Sequence, residues 1–218
     1  DGFANGEGAT YNVTGSQTIV GISVNEFSYT PNEGTLEDNY TITPVKGTLN
    51  RTNRDAKYEI TVTEKSLNAG AYDATEKSVS GLVTDTFTVD GNTYTVSGLS
   101  AGVTGTDAGV YTANVTGTAK VTDADNNDVT DQFSVRTEPG TLTIDRRSVT
   151  VTADSGKTKI YGDADPALTA TVSGNLNGDT IVYTIGRSEG ENAGSYTITP
   201  SGDAIQGNYN VTYRTATS

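Results

Sequence analysis

The segment Asn39-Tyr40-Thr41-Ile42-Thr43-Pro44-Val45-Lys46-Gly47-Thr48-Leu49 returns, without a gap, as Gln132-Phe133-Ser134-Val135-Arg136-Thr137-Glu138-Pro139-Gly140-Thr141-Leu142. The aromatic, the aliphatic two places later and Gly-Thr-Leu all stay in register. A third, shorter copy is Asn208-Tyr209-Asn210-Val211-Thr212-Tyr213. A chain that repeats itself this way must build one small unit several times. The spacing is about 90 residues, the size of an Ig-like sandwich and far longer than a solenoid or β-helix coil. A second repeated element is Ala-Gly-x-Tyr, at Ala108–Tyr111 and Ala193–Tyr196, each followed by alternating strand residues. The similar run Ala69-Gly70-Ala71-Tyr72 reads as chance, because Asp73-Ala74-Thr75-Glu76-Lys77 follows it and offers no strand. Val13-Thr14-Gly15-Ser16 echoes Val103-Thr104-Gly105-Thr106.

These phases divide the 218 residues into three: 1–51, the C-terminal half of a repeat; 52–146, one complete repeat; and 147–218, a repeat lacking its last strand. A module without an edge strand leaves backbone N–H and C=O groups unpaired, which predicts completion by a neighbouring chain or local disorder at the ends. Around Asp145-Arg146-Arg147 one repeat runs into the next with no Gly, Pro or Ser linker, so the joint should be short and stiff.

Alternation of apolar and polar residues sets the expected strands. In the middle repeat they are 57–63, 77–82, 86–89, 93–97, 110–122, 132–137 and 141–144, with Asp90-Gly91-Asn92 as a hairpin turn. In the third they are 148–153, 168–173, 180–185, 195–199 and 208–213. Thr, Val and Tyr favour the pleated strand, and Gly, Asn and Asp favour turns. Nothing apolar recurs at helical spacing. The expected fold is all-β, tandem Ig-like β-sandwich modules in series, elongated.

The third repeat resembles a known family. Lys159-Ile160-Tyr161-Gly162-Asp163-Ala164-Asp165-Pro166-Ala167-Leu168, then Gly178-Asp179, Gly190-Glu191-Asn192-Ala193-Gly194-Ser195-Tyr196-Thr197-Ile198 and Gly207-Asn208-Tyr209, is similar to the MBG domain of the YGX type. The middle repeat departs from that pattern, with Tyr72-Asp73-Ala74 where Tyr-Gly-x would sit, and resembles longer sister repeats. Residues 1–51, through Asn12-Val13-Thr14-Gly15-Ser16-Gln17, resemble such a repeat too. The resemblance implies an extracellular parent, a bacterial cell-surface or secreted protein of adhesin type, and brings no catalytic residues.

Composition narrows the chemistry. With no His and no Cys, Ser-His and Cys-His nucleophiles and the usual zinc sites are impossible. The absence of Cys also rules out disulfides, and the absence of Met predicts a piece processed or cut from a longer protein. A net charge of -13 opposes binding to nucleic acid and to anionic membranes, and no apolar run predicts membrane insertion. Carboxylate pairs could still hydrolyse glycosides, but the acids fall mostly in turns, and the expectation is no enzyme.

One acidic run invites a metal reading. Asp123-Ala124-Asp125-Asn126-Asn127-Asp128 places oxygen ligands Asp123, Asp125 and Asn127 at alternate positions, as calcium requires. Asp128 stands where an EF-hand loop needs Gly, and Ser134 where it needs Glu. A polar hairpin turn is the favoured reading, with no cofactor, and calcium is its alternative. Asp163-Ala164-Asp165-Pro166 reads as a turn fixed by proline. The repeated tyrosines Tyr40, Tyr111, Tyr196 and Tyr209 read as core or tyrosine-corner residues rather than sugar-stacking rings.

The expected role is a structural stalk or spacer, whose partners are the neighbouring repeats of the same chain. The alternative is a module that itself binds mucin, glycan or host matrix protein. An exposed aromatic or apolar patch on one module only would favour that alternative.

Overall fold

The computed structural model describes every residue except 1, 19, 54, 55, 177 and 218. Among the described residues there is no α-helix; the chain is all-β, in several sheets of two to four strands, with two single-turn 3-10 segments. It divides into two compact units, one of residues 1–61, 85–98 and 118–136, the other of residues 62–84, 99–117 and 137–218. These units are not cut at 51/52 or 146/147, where the sequence repeat was divided.

The first unit contains strands Ala9–Val13, Gly21–Asn25, Phe27–Pro31 and Gly47–Arg51, none of which alternation had singled out. Their apolar residues are mostly exposed or half-buried, so the inside-outside contrast that period 2 depends on is weak here. Ala9–Val13 pairs antiparallel with Phe27–Pro31, and Gly21–Asn25 with Gly47–Arg51. Thr86–Val89, a strand expected with these bounds, pairs back on 92–95 through Asp90 and Gly91, both at positive φ (49° and 77°). Phe133 is buried and packs against the rings of Tyr58 and Tyr94, at 5.6 and 4.7 Å between centroids.

In the second unit the alternation is strong. Arg147–Ala153 buries Val149, Val151 and Ala153 and turns the residues between them outward. It pairs parallel with Tyr209–Arg214 and antiparallel with Ala170–Ser173. Gly140–Asp145 buries Leu142 and Ile144, pairing antiparallel with Gly109–Ala113 and parallel with Leu67–Ala71. That last strand lies where the sequence offered none: Leu67–Ala71 alternates poorly and is recruited by its neighbour. The expected strand 110–122 is broken at Asn114 into Gly109–Ala113 and Val115–Thr122, and 180–185 is replaced by Thr184–Arg187. One core joins Leu142, Ile144, Val149, Val151, Ile181, Tyr209 and Val211, so the middle and third repeats share it with no gap at 145–147.

The repeat is reproduced bond by bond. Each of the two 3-10 turns, Glu37–Asn39 and Thr130–Gln132, delivers the aromatic that follows it, Tyr40 or Phe133, in extended conformation. Three copies of one antiparallel register follow: Asn25 faces Gly47, Ala113 faces Gly140 and Ile198 faces Ala216. The third repeat therefore has the opening of its last strand, Ala216–Thr217, which the sequence reading had left out because Gly-Thr-Leu is absent there. Leu142 and Phe133 are buried, whereas their counterparts Leu49 and Tyr40 are only half-buried, although Tyr40 reads from the sequence as a core or corner residue.

One residue breaks the alternation rule. Glu64 is 1% exposed, in the place that Ala153 fills one repeat later, and among the described residues neither carboxylate oxygen has a hydrogen-bond partner. Burial raises its pKa; the nearby Gly140 N–H opposes the shift without making a bond of normal geometry. Below the unfolded value near 4.5 the group is protonated in both states and costs no charge burial. As pH rises past that value the unfolded chain ionises first, so stability falls until the folded pKa is reached. Glu64→Gln removes this term. The variant should be more stable than the parent at pH 7 by about 1–3 kcal/mol, and the advantage should shrink towards pH 4. Urea denaturation at the two pH values checks it; an advantage independent of pH would contradict the assignment.

Candidate functional site

The motif residues of the third repeat converge on one cleft of about 250 Å³, lined by Lys157, Lys159, Tyr161, Asp165, Arg187 and Tyr196 among others. Its wall is an ion-pair cluster. Lys159 Nζ lies 2.7 Å from Asp165 Oδ1 and 2.7 Å from Glu191 Oε2. Arg187 holds Asp165 through two donors, Nε at 2.7 Å and Nη2 at 3.1 Å, and donates to Glu191 Oε1 at 2.7 Å. Its remaining nitrogen donates to the Ser188 and Gly190 carbonyls, and its Cζ lies over the Tyr196 ring, 4.9 Å from the ring centre.

Two cations therefore meet two carboxylates. The Arg187 and Lys159 bonds hold the Asp165 carboxyl at a pKa of about 2, and the Lys159 and Arg187 bonds lower that of Glu191. Lys159 is raised in turn. Asp165 thus contributes stability that is present above the ordinary carboxylate range and fades as pH falls towards about 2. Every charge in the cluster is spent on another, which leaves no acid-base pair poised for proton transfer near neutrality. The arrangement pins together segments 159–165 and 187–191.

Tyr196 closes the same loop. Its hydroxyl donates to the Asn192 carbonyl at 2.7 Å, as the Tyr111 hydroxyl donates to the Asp107 carbonyl at 2.9 Å, in each case four residues upstream. Each ring lies on a glycine: a Cβ built on Gly105 or Gly190 would sit 2.5 Å from the ring of Tyr111 or Tyr196. The Ala-Gly-x-Tyr element is thus a corner, in which the ring presses on bare backbone and its hydroxyl ties the chain back. Tyr209 and Tyr40 have a matching role. Tyr209 donates to Asp179 and accepts from Leu176 N–H; Tyr40 donates to Glu7 and accepts from Ala4 N–H. Ala4-Asn5-Gly6-Glu7 and Leu176-Asn177-Gly178-Asp179 are one repeated motif that the sequence comparison had missed.

The calcium candidates form a turn. Asp123 Oδ1 accepts the N–H groups of Asp125 (3.0 Å) and Asn127 (2.8 Å), and Oδ2 accepts from the Asn127 side chain at 3.0 Å. These bonds, the Asn127 side chain foremost, lower the Asp123 pKa. Asn127 therefore points its amide N–H, not its oxygen, at Asp123. Asn126 takes a positive φ of 64° at the turn's apex. Among the described residues no group of three His, Cys, Asp or Glu side chains gathers as a metal site. Millimolar EDTA should leave the melting temperature unchanged within about 2 °C. A large drop would promote Asp123, Asp125 and Asn127 to ligands, because a bound ion stabilises by mass action.

Of the site, Lys159 and Glu191 were visible as motif residues without a role, Asp165 as part of a turn and Tyr196 as a core or corner tyrosine. Arg187 was not visible at all. Asp163-Ala164-Asp165-Pro166 does turn, with Asp163 N–H bonded to the Ile160 carbonyl, but Asp165 also anchors the ion-pair cluster. The only local signal was a pair of basic residues facing a pair of acidic ones at unrelated separations.

The clasp holds two segments of an all-β repeat together. Residues 149–217 match the family model of the MBG domain (YGX type), a non-catalytic repeat typical of bacterial surface proteins. No curated protein and no solved structure matches the chain.

Proposed function

We propose that these residues serve as structural stalk or spacer repeats of a bacterial cell-surface, adhesin-like protein, built as Ig-like sandwich modules in series and exposed outside the cell. The observation that carries the reading is the joint between the middle and third repeats. Val149 and Val151 share a core with Leu142 and Ile144, and the buried Tyr72 meets Tyr209 edge-on at 5.7 Å. Asn208 adds a two-pronged clasp, accepting from Ala108 N–H at 2.8 Å and donating to Asp107 Oδ1 at 2.9 Å. A joint sealed by apolar packing and hydrogen bonds on both sides transmits direction from one repeat to the next, as a spacer requires.

Spin labels at Thr75 and Ser201, exposed in the two repeats, test this by pulsed dipolar spectroscopy. One narrow distance distribution is expected. A broad distribution would mean a flexible tether and would sink the spacer reading.

A second reading, a module that grips glycan or matrix protein, draws support from one feature. Ile160 and Tyr161 are each 76% exposed and adjacent. Binding of the purified chain to immobilised mucin, abolished by Tyr161→Ala, would favour it over the spacer.

A further inference from the structure

The exposed pair Ile160-Tyr161 has a counterpart whose fate is visible. The strand Tyr58–Thr63 and residue Glu64 correspond to Arg147–Ala153, with buried Ile60, Val62 and Glu64 matching buried Val149, Val151 and Ala153. The residues that follow, Leu67–Ala71 and Tyr72, then correspond to 156–160 and Tyr161. In the middle repeat Leu67–Ala71 is a strand, paired parallel with Gly140–Asp145, and Tyr72 is 7% exposed, with its N–H bonded to the Asp145 carbonyl at 2.8 Å. In the third repeat residues 154–160 are assigned to no strand, and Tyr161 is 76% exposed.

The same shift holds across the cleft. Ala69, Ala108 and Tyr111 pack against the core of the second unit; their counterparts Thr158, Ala193 and Tyr196 line the open cleft. Asp107 and Ala108, which receive Asn208 of the following repeat, correspond to Asn192 and Ala193, also on that lining. Ala216–Thr217, in the register of Gly140 and Thr141, already lies beside Thr197–Ser201 and leads towards the cleft edge.

We infer that the cleft and the 156–161 edge of the third repeat form the docking surface for one further repeat of the same kind, joined in cis through the strand that Ala216–Thr217 begins. The incoming strand carries the Leu-Thr-Ile-Asp pattern of 142–145. It adds parallel to 156–160, its Asp carbonyl accepts the Tyr161 N–H, and the Tyr161 ring meets the incoming repeat's equivalent of Tyr209. An Asn in the place of Asn208 closes on Asn192 and Ala193. Residues 154–160 lie in no strand and end at an exposed aromatic, at the place where the middle repeat pairs Leu67–Ala71 with an added strand, so the chain displays the completed form one repeat earlier. The inference holds wherever the parent protein resides, so its failure and that of the surface-spacer reading are separable.

The test is a chain in which Thr217 is followed directly by a second copy of residues 142–218, compared with the original by amide hydrogen exchange. The amides of residues 157–161 should exchange about tenfold or more slowly in the extended chain, with Tyr161 among the most affected. An appended repeat that stays unfolded, or that folds without slowing those amides, overturns the proposal. So does concentration-dependent protection of the same amides in the original chain, which would make a second copy the occupant.

Discussion

Leu142→Ala is expected to lower the unfolding free energy of the second unit by about 3 kcal/mol, since a fully buried leucine loses both its transfer energy and the packing around the void. The side chain is 0% exposed and lies in the core that serves the middle and third repeats together. Its loss should therefore weaken both, and the exchange of Val149 and Val151 amides should quicken along with that of Ala113. Leu49→Ala, at the matching place of the first repeat, should cost about 1 kcal/mol or less because that leucine is only half-buried. Equal costs at the two positions would show that the shared core is not what holds Leu142. Urea titration followed by residue-resolved exchange separates the two outcomes.

Gly140→Ala should cost about 3 kcal/mol, at the upper end of overpacking penalties. A Cβ built there meets the Lys65 carbonyl oxygen at 2.2 Å and the Lys65 carbonyl carbon at 2.9 Å, and these backbone atoms cannot rotate away. The same substitution at Gly47 meets nothing nearer than the Asn25 Cβ at 4.0 Å and should be close to neutral. The two glycines occupy one place in the repeat, so the pair of thermal melts isolates the crossing of the Glu64-Lys65 backbone over the strand. A harmless Gly140→Ala would mean that this crossing is loose. Ala216 shows that the place itself tolerates a methyl group where no such backbone bears on it.

The all-β class, the repeat and strands such as Arg147–Ala153 and Tyr209–Arg214 were legible in the residues because alternation and turn chemistry are local: a period of two either places Val149 and Val151 on one face or it does not. The matched segments at 39–49, 132–142 and 208–213 determined the shared register in the same way, since equal spacing along a strand puts equal residues on equal faces. What covers a face is not local. Leu67–Ala71 is a strand because Gly140–Asp145 lies beside it, and 156–160, at the same place in the third repeat, is not. Lys159, Asp165, Arg187 and Glu191 meet only because the fold returns the chain to one spot. Asn208 finds Asp107 across about a hundred residues. The fate of Tyr72 and Tyr161 makes the difference plain. They occupy one place in the repeat, each closing the segment that follows a matched strand, although the residues around them differ. The tertiary structure decides that one is core and the other surface, because burial is set by the neighbour that arrives, and a residue's own spacing carries no record of it.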